Sequence, residues 1–188
     1  MSKAEYRSAV RSRQLINAAL ADLLQEKALE KITVTDIVRR AGINRGTFYV
    51  HYLNVPDVLQ HLIDNTFSML REKVFESPPH EVSEYPSALF QCIQMELEKD
   101  MAFYQKVINS SAYPMMQKNL LDMILEYLHQ FEDRMGFGDH AQYMLMLHFC
   151  AGGIACLYQE WFAGKIEMSL PELTEHAAHM LQKILEAN

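Results

Sequence analysis

From Thr33 to Tyr52 the sequence starts a helix, stops it and starts another within twenty residues. That leaves room for two short helices and a tight turn. In Thr33-Val34-Thr35-Asp36 the threonine can accept from the third helical amide while the aspartate reaches back to the cap, a capping box. The short helix that follows turns Val34, Ile37, Val38 and Ala41 inward. Gly42 stands where this helix must end, at a position that favours positive φ, which glycine adopts at little cost. Ile43 then re-enters the core and Asn44 caps a helix beginning at Arg45. Phe48 and Tyr52, four apart, anchor that helix on one face.

A longer helix is predicted upstream, from about Ala9 to Glu26. There Ile16, Ala19, Leu20, Leu23 and Leu24 repeat at helical spacing. Its other face carries Arg7, Arg11 and Arg13. Three helices of this pattern form a helix-turn-helix, in which the N-terminal side chains of the second short helix reach base edges in a major groove. Arg45 and Thr47 are the base-reading candidates, since a guanidinium can bridge guanine O6 and N7 and a threonine offers a hydroxyl or a methyl. Gly46 permits close approach. Tyr49 and His51 suit phosphate oxygens, as do Thr33, Thr35 and the amides at the start of the first short helix, and Asn44 is a further DNA-contact candidate.

The charge pattern agrees. The net charge of −7 is unfavourable for a nucleic-acid partner, but it is unevenly spread. Residues 1–56 hold nine Lys/Arg against five Asp/Glu, and residues 57–188 hold eight against nineteen, so +4 is followed by −11. A basic head precedes an acidic body, and the local excess is what a polyanion meets.

The rest of the chain reads as helices. Seven glycines and six prolines lie mostly between long stretches of helical periodicity. Helices are predicted from near Pro56 until Pro78-Pro79, and over Pro86–Lys99, Met101–Ile108, Pro114–Met135, Asp139–Ala163 and Leu170–Glu186. The last begins with a second capping box, Ser169 and Glu172. The fold class is therefore all-α: a helix-turn-helix domain over 1–53 joined to a larger helical regulatory domain over 54–188. Cys92, Cys150 and Cys156 form no Cys-x-x-Cys pair and read as buried thiols of a reducing cytoplasm. The N-terminus lacks the apolar stretch of a signal peptide. The uncharged run His140 to Gln159 is barely of membrane-spanning length and has acidic flanks, so it reads as a buried helix of a soluble protein with no membrane partner. No nucleophile elbow, phosphate-cradling glycine loop or His-Glu-x-x-His is present, which argues against an enzyme and gives no catalytic residue and no cofactor.

Ile32-Thr33-Val34-Thr35-Asp36-Ile37 and Ala41-Gly42-Ile43-Asn44-Arg45-Gly46-Thr47-Phe48-Tyr49-Val50-His51-Tyr52 resemble the N-terminal signature of the TetR family of bacterial regulators. Phe149 to Trp161 and Met168 to Glu172 resemble the family more loosely. The resemblance implies a cytoplasmic, nucleoid-associated transcriptional repressor. It would bind palindromic double-stranded DNA as a homodimer and respond to a small-molecule effector. It places the dimer interface on the last two helices, where Phe149, Gly152, Gly153, Cys156, Trp161, Met180 and Leu181 are the candidates. One departure is visible: many relatives carry a lysine after the recognition helix, but here the run is Leu53-Asn54-Val55-Pro56-Asp57. Asn54 or backbone amides must then meet that phosphate.

Twelve methionines, eight of them between Met95 and Met146, suit an adaptable pocket as well as an ordinary core. Phe67, Phe90, Tyr104, Met123, Tyr127 and Phe131 are the pocket candidates. His176 and His179, beside Glu172 and Glu175, read as a solvated helix face rather than a metal site. Two other functions stay open at this level: a DNA-bound scaffold for a protein partner, and a helical small-molecule carrier with a vestigial head.

Overall fold

The computed structural model describes residues 3–76, 84–129 and 139–186. Among them there is no β-strand. Helix α1 spans Lys3–Glu26 and is followed by a 3-10 turn, Leu29–Lys31; α2 is Val34–Ala41, α3 Arg45–His51 and α4 Val55–Glu76. Then come α5 Tyr85–Lys99, α6 Met101–Ile108, α7 Tyr113–His129, α8 His140–Phe162 and α9 Leu170–Glu186. The predicted helices are present, and α1 begins six residues earlier than periodicity suggested because its first turns carry no apolar stripe to betray them. The Pro78-Pro79 stop, residues 130–135 of the seventh predicted helix, and Phe131 lie outside the described residues.

The chain forms two compact units: Met1–Asn65 with Ala102–Met115, and Thr66–Met101 with Met116–Asn188. The first contains the expected head and adds the start of α4, nearly all of α6 and the α6–α7 turn. Its core is Ile16, Leu20, Leu24, Ile37, Phe48, Val58 and Leu59, each at most 1% exposed. Burying one such side chain is worth roughly 1.5–3 kcal/mol. Helix α1 packs against both α2 and α3. The α6–α7 turn is tied to the 3-10 turn by Glu30, which accepts from the Ser111 amide at 3.2 Å and the Ser111 hydroxyl at 3.0 Å. A bond from its own backbone amide first, and these two bonds after it, hold the Glu30 carboxyl below its ordinary range.

In the second unit α5 packs against α9. Helix α8 buries only one face, through Tyr143, Leu147, Ala151, Ile154, Ala155, Tyr158 and Phe162. It is long and apolar enough to span a membrane, but this buried stripe, spaced three and four apart, is that of a helix packed on one side. The expectation of a buried helix therefore holds for half its surface. Leu145 and Phe149 are exposed on the rest.

Candidate nucleic-acid interface

The two short helices form as their local chemistry requires. The Asp36 amide donates to Thr33 Oγ1 at 3.2 Å, and the Thr33 amide donates to Asp36 Oδ2 at 3.0 Å, closing the capping box. Lys27 donates to the same carboxylate oxygen at 2.7 Å, and Arg39 reaches Oδ1 at 3.1 Å. The Lys27 bond first, and the Thr33 bonds after it, drive the Asp36 carboxyl far below the usual carboxylate range. Gly42 ends α2 at φ +66°, and Ile43 bonds back to the Val38 carbonyl at 3.1 Å. Asn44 Oδ1 accepts from the Thr47 amide at 2.7 Å and the Thr47 hydroxyl at 3.1 Å.

Helix α3 is held from one side. Phe48 is fully buried and Tyr52 nearly so, their rings 6.1 Å apart. Tyr52 Oη donates to Asn17 Oδ1 at 3.1 Å and lies 3.2 Å from His61 Nδ1, joining the end of α3 to α1 and α4. With 3.6 residues per turn, Gly46 and Val50 lie about 160° around the helix from Phe48, on the outermost line. Arg45 and Tyr49 share one flank; Thr47 and His51 share the other. A Cβ at Gly46 would come within 3.2 Å of Asn44 Oδ1, so this glycine also leaves room for the cap.

The predicted contact residues thus divide by what already holds them. Arg45 is exposed and donates to Thr35 Oγ1 at 2.5 Å. Tyr49 is 54% exposed, its ring edge-on to Phe48. His51 is half-buried, and burial first, with the Arg13 charge second, holds its imidazole below the ordinary value. Thr33 and Asn44 serve as helix caps. Asn54 Oδ1 accepts from the Asp57 amide at 2.9 Å, leaving its Nδ2 as the donor in place of the absent lysine. Sequence reasoning missed Val50 and Leu53, each 78% exposed at the end of α3. The helical-wheel position of Val50 opposite Phe48 was the available signal.

The residues assigned to pocket and interface separate in the same way. Phe67, Phe90, Met123 and Tyr127 are buried core of the second unit. Tyr104, expected beside them, is buried in the first unit instead, because α6 joins that unit. An exposed cleft of about 570 Å³, which sequence reasoning did not anticipate, runs between α5 and α9 past Gln91, Gln94, Glu175 and His179. Phe149, Gly152, Gly153, Cys156 and Met180 are exposed. Leu181 is not; it is 3% exposed and, with Phe149, Gly153 and Met180, lines an apolar groove of about 120 Å³ between α8 and α9. Trp161 is committed elsewhere, donating from Nε1 to the Met168 carbonyl at 2.7 Å and so bracing the α8–α9 connection.

Residues 15–54 match the family described as bacterial regulatory proteins, tetR family, and these are the residues that form the capped helices and anchor of the reading helix. Over these residues the chain is similar to TetR-family regulators. Among similar proteins, the uncharacterized HTH-type transcriptional regulator YxbF of Bacillus subtilis is 37% identical over 79 residues, which is 41% of this chain and 21% of that protein. The HTH-type dhaKLM operon transcriptional activator DhaS of Lactococcus lactis is 28% identical over 121 residues, 61% of this chain and 60% of that one. The chain thus spans less than two thirds of the length of either relative. The fold extends the likeness beyond the head. The fatty acid degradation regulator FadR of Bacillus halodurans superposes with a TM-score of 0.73 at 18% identity, over 91% of this chain and 94% of that one. The dihydroxyacetone kinase operon activator DhaS does so with a TM-score of 0.71 at 20% identity, over 94% and 97%. These relatives are transcriptional regulators.

Proposed function

We propose that this regulator is a cytoplasmic homodimer that presents two α3 helices to successive major grooves of a palindromic operator and represses until a small-molecule effector binds its body. The observation that carries the reading is the outward face of α3. Arg45, Gly46, Tyr49 and Val50 are exposed there while Phe48 and Tyr52 lock the helix from behind. The exposed side chains of α8 and α9 support the homodimer: Phe149 is 78% and Met180 47% exposed. Gly152 and Gly153 permit close helix approach, and a twofold partner would remove this apolar surface from water. Two linked heads gain affinity that a single head lacks.

An effector would act only as strongly as its affinities for the two states differ. One route to the head is supported: helix α4 is continuous from Val55 to Glu76 and so spans the division at residues 65 and 66. Because the relative DhaS is an activator, activation by the same DNA-binding machinery is the second reading.

The test is fluorescence-anisotropy binding to DNA flanking the protein's own gene, and to a random-sequence selection library, at two salt concentrations. Tight, salt-sensitive binding that is abolished by Arg45→Ala with Tyr49→Ala supports the reading. Weak binding indifferent to both substitutions sinks it.

A further inference from the structure

We propose that Val50 is a specificity-determining residue of this interface, reading the C5-methyl group of a thymine in the major groove. The inference rests on the operator-binding reading above and adds a base identity to it. A single exposed valine means little on a protein surface. The place of this one is what matters. It lies opposite the fully buried Phe48, on the outermost line of α3, one turn beyond Gly46, whose missing side chain leaves that line open.

It is not isolated either. Tyr49 is 54% exposed and Leu53 78%, so three large apolar side chains crowd the last turn of α3 and the residues after it. The head gains nothing from Val50 in its own core, and valine is a mediocre helix former at an exposed position. An isopropyl group offers no donor or acceptor, so it cannot take a phosphate or read a hydrogen-bonding base edge. The one apolar group on a major-groove edge is the thymine methyl. Its β-branching also restricts χ1, so the methyls are already oriented and little rotamer freedom is lost on contact.

The experiment uses the full chain. Operators are selected from random-sequence DNA. Each thymine is then replaced by deoxyuridine symmetrically in both half-sites, which removes only the methyl, and binding is measured by anisotropy for wild type and Val50→Ala. Circular dichroism checks that the variant is folded. One buried methyl corresponds to about fourfold in affinity per half-site. The expected result is one thymine position whose symmetric replacement weakens wild type by about fifteenfold, about fourfold from each half-site, while Val50→Ala binds both DNAs equally. The proposal is overturned if no thymine is sensitive, if the selected half-sites contain none, or if Val50→Ala retains the full penalty. If selection returns no operator at all, the operator-binding reading falls first and Val50 falls with it.

Discussion

The Arg45 guanidinium donates to the Thr35 hydroxyl at 2.5 Å, tying the first residue of α3 to the second residue of α2. Arginine has five N–H donors, and this bond uses one. In the proposed complex the side chain would thereby be aimed before it meets a base, which lowers the ordering cost of contact. Arg45→Ala should cost about 1–3 kcal/mol of discrimination at one base pair. Thr35→Val, which leaves the arginine but removes its acceptor, should cost less and relax preference at the same base pair. Competition anisotropy against operators changed one base pair at a time reads both. If the two variants relaxed different base pairs, the bond would have no role in reading.

The head's stability rests on its caps. Thr33→Ala should lose about 1 kcal/mol, the usual worth of an N-cap. Gly42→Ala should lose about 1–2 kcal/mol, because a Cβ is strained at φ +66° although nothing crowds it. Urea melts followed by circular dichroism measure each. The depressed Asp36 carboxyl adds a pH limb. Its contribution is full above the ordinary carboxylate value of 3.8 and is lost as the pH falls below it. Asp36→Asn should flatten that acid limb, and an unchanged acid profile would remove the ion-pair account.

Burial and the Arg13 charge hold His51 below its ordinary value of 6.5, so the free protein carries a neutral imidazole at neutral pH. A phosphate beside it favours the imidazolium, raising the value in the complex. In the proposed complex binding therefore takes up a proton, and operator affinity should rise as pH falls from neutral toward the depressed value of the free protein. His51→Gln should abolish the slope. An equal slope in wild type and variant would mean that His51 meets no phosphate.

Phe149 is the most exposed large apolar side chain on α8. Phe149→Glu places a charge on the proposed twofold surface without disturbing the chain's own core. Light scattering should find twice the mass of one chain for wild type and one chain for the variant, with operator affinity falling at least tenfold, or about 1.4 kcal/mol. A variant that remained dimeric would move the interface elsewhere.

The Tyr158 and Thr174 hydroxyls are buried beside one another without completing a hydrogen bond, and burial pushes the Tyr158 phenol well up. Leaving such groups unsatisfied costs about 1–3 kcal/mol, whereas removing both is nearly neutral or stabilising. Tyr158→Phe with Thr174→Val should therefore match or exceed wild type in thermal melting. A large loss would show that the pair bonds in solution.

Much of this protein was legible in its sequence because the decisive interactions are local. The Thr33–Asp36 and Ser169–Glu172 boxes join residues three apart, and Gly42 and Asn44 act on their immediate neighbours. The start and end of the reading helix, its Phe48 anchor and the family of the head follow from such short-range chemistry. Exposure does not, since it depends on which distant element covers a given face. Met180 and Leu181 are adjacent and both apolar, yet one faces outward and the other lines the groove between α8 and α9. Tyr104 reads like the other aromatics of the body, but α6 joins the compact unit of the head. The wheel position of Val50 opposite Phe48 hints at exposure, but only packing shows that nothing else covers it. Where capped helices such as α2 and α3 begin and end follows from caps and turns that act within a few residues, whereas the face each helix leaves free follows from tertiary packing alone.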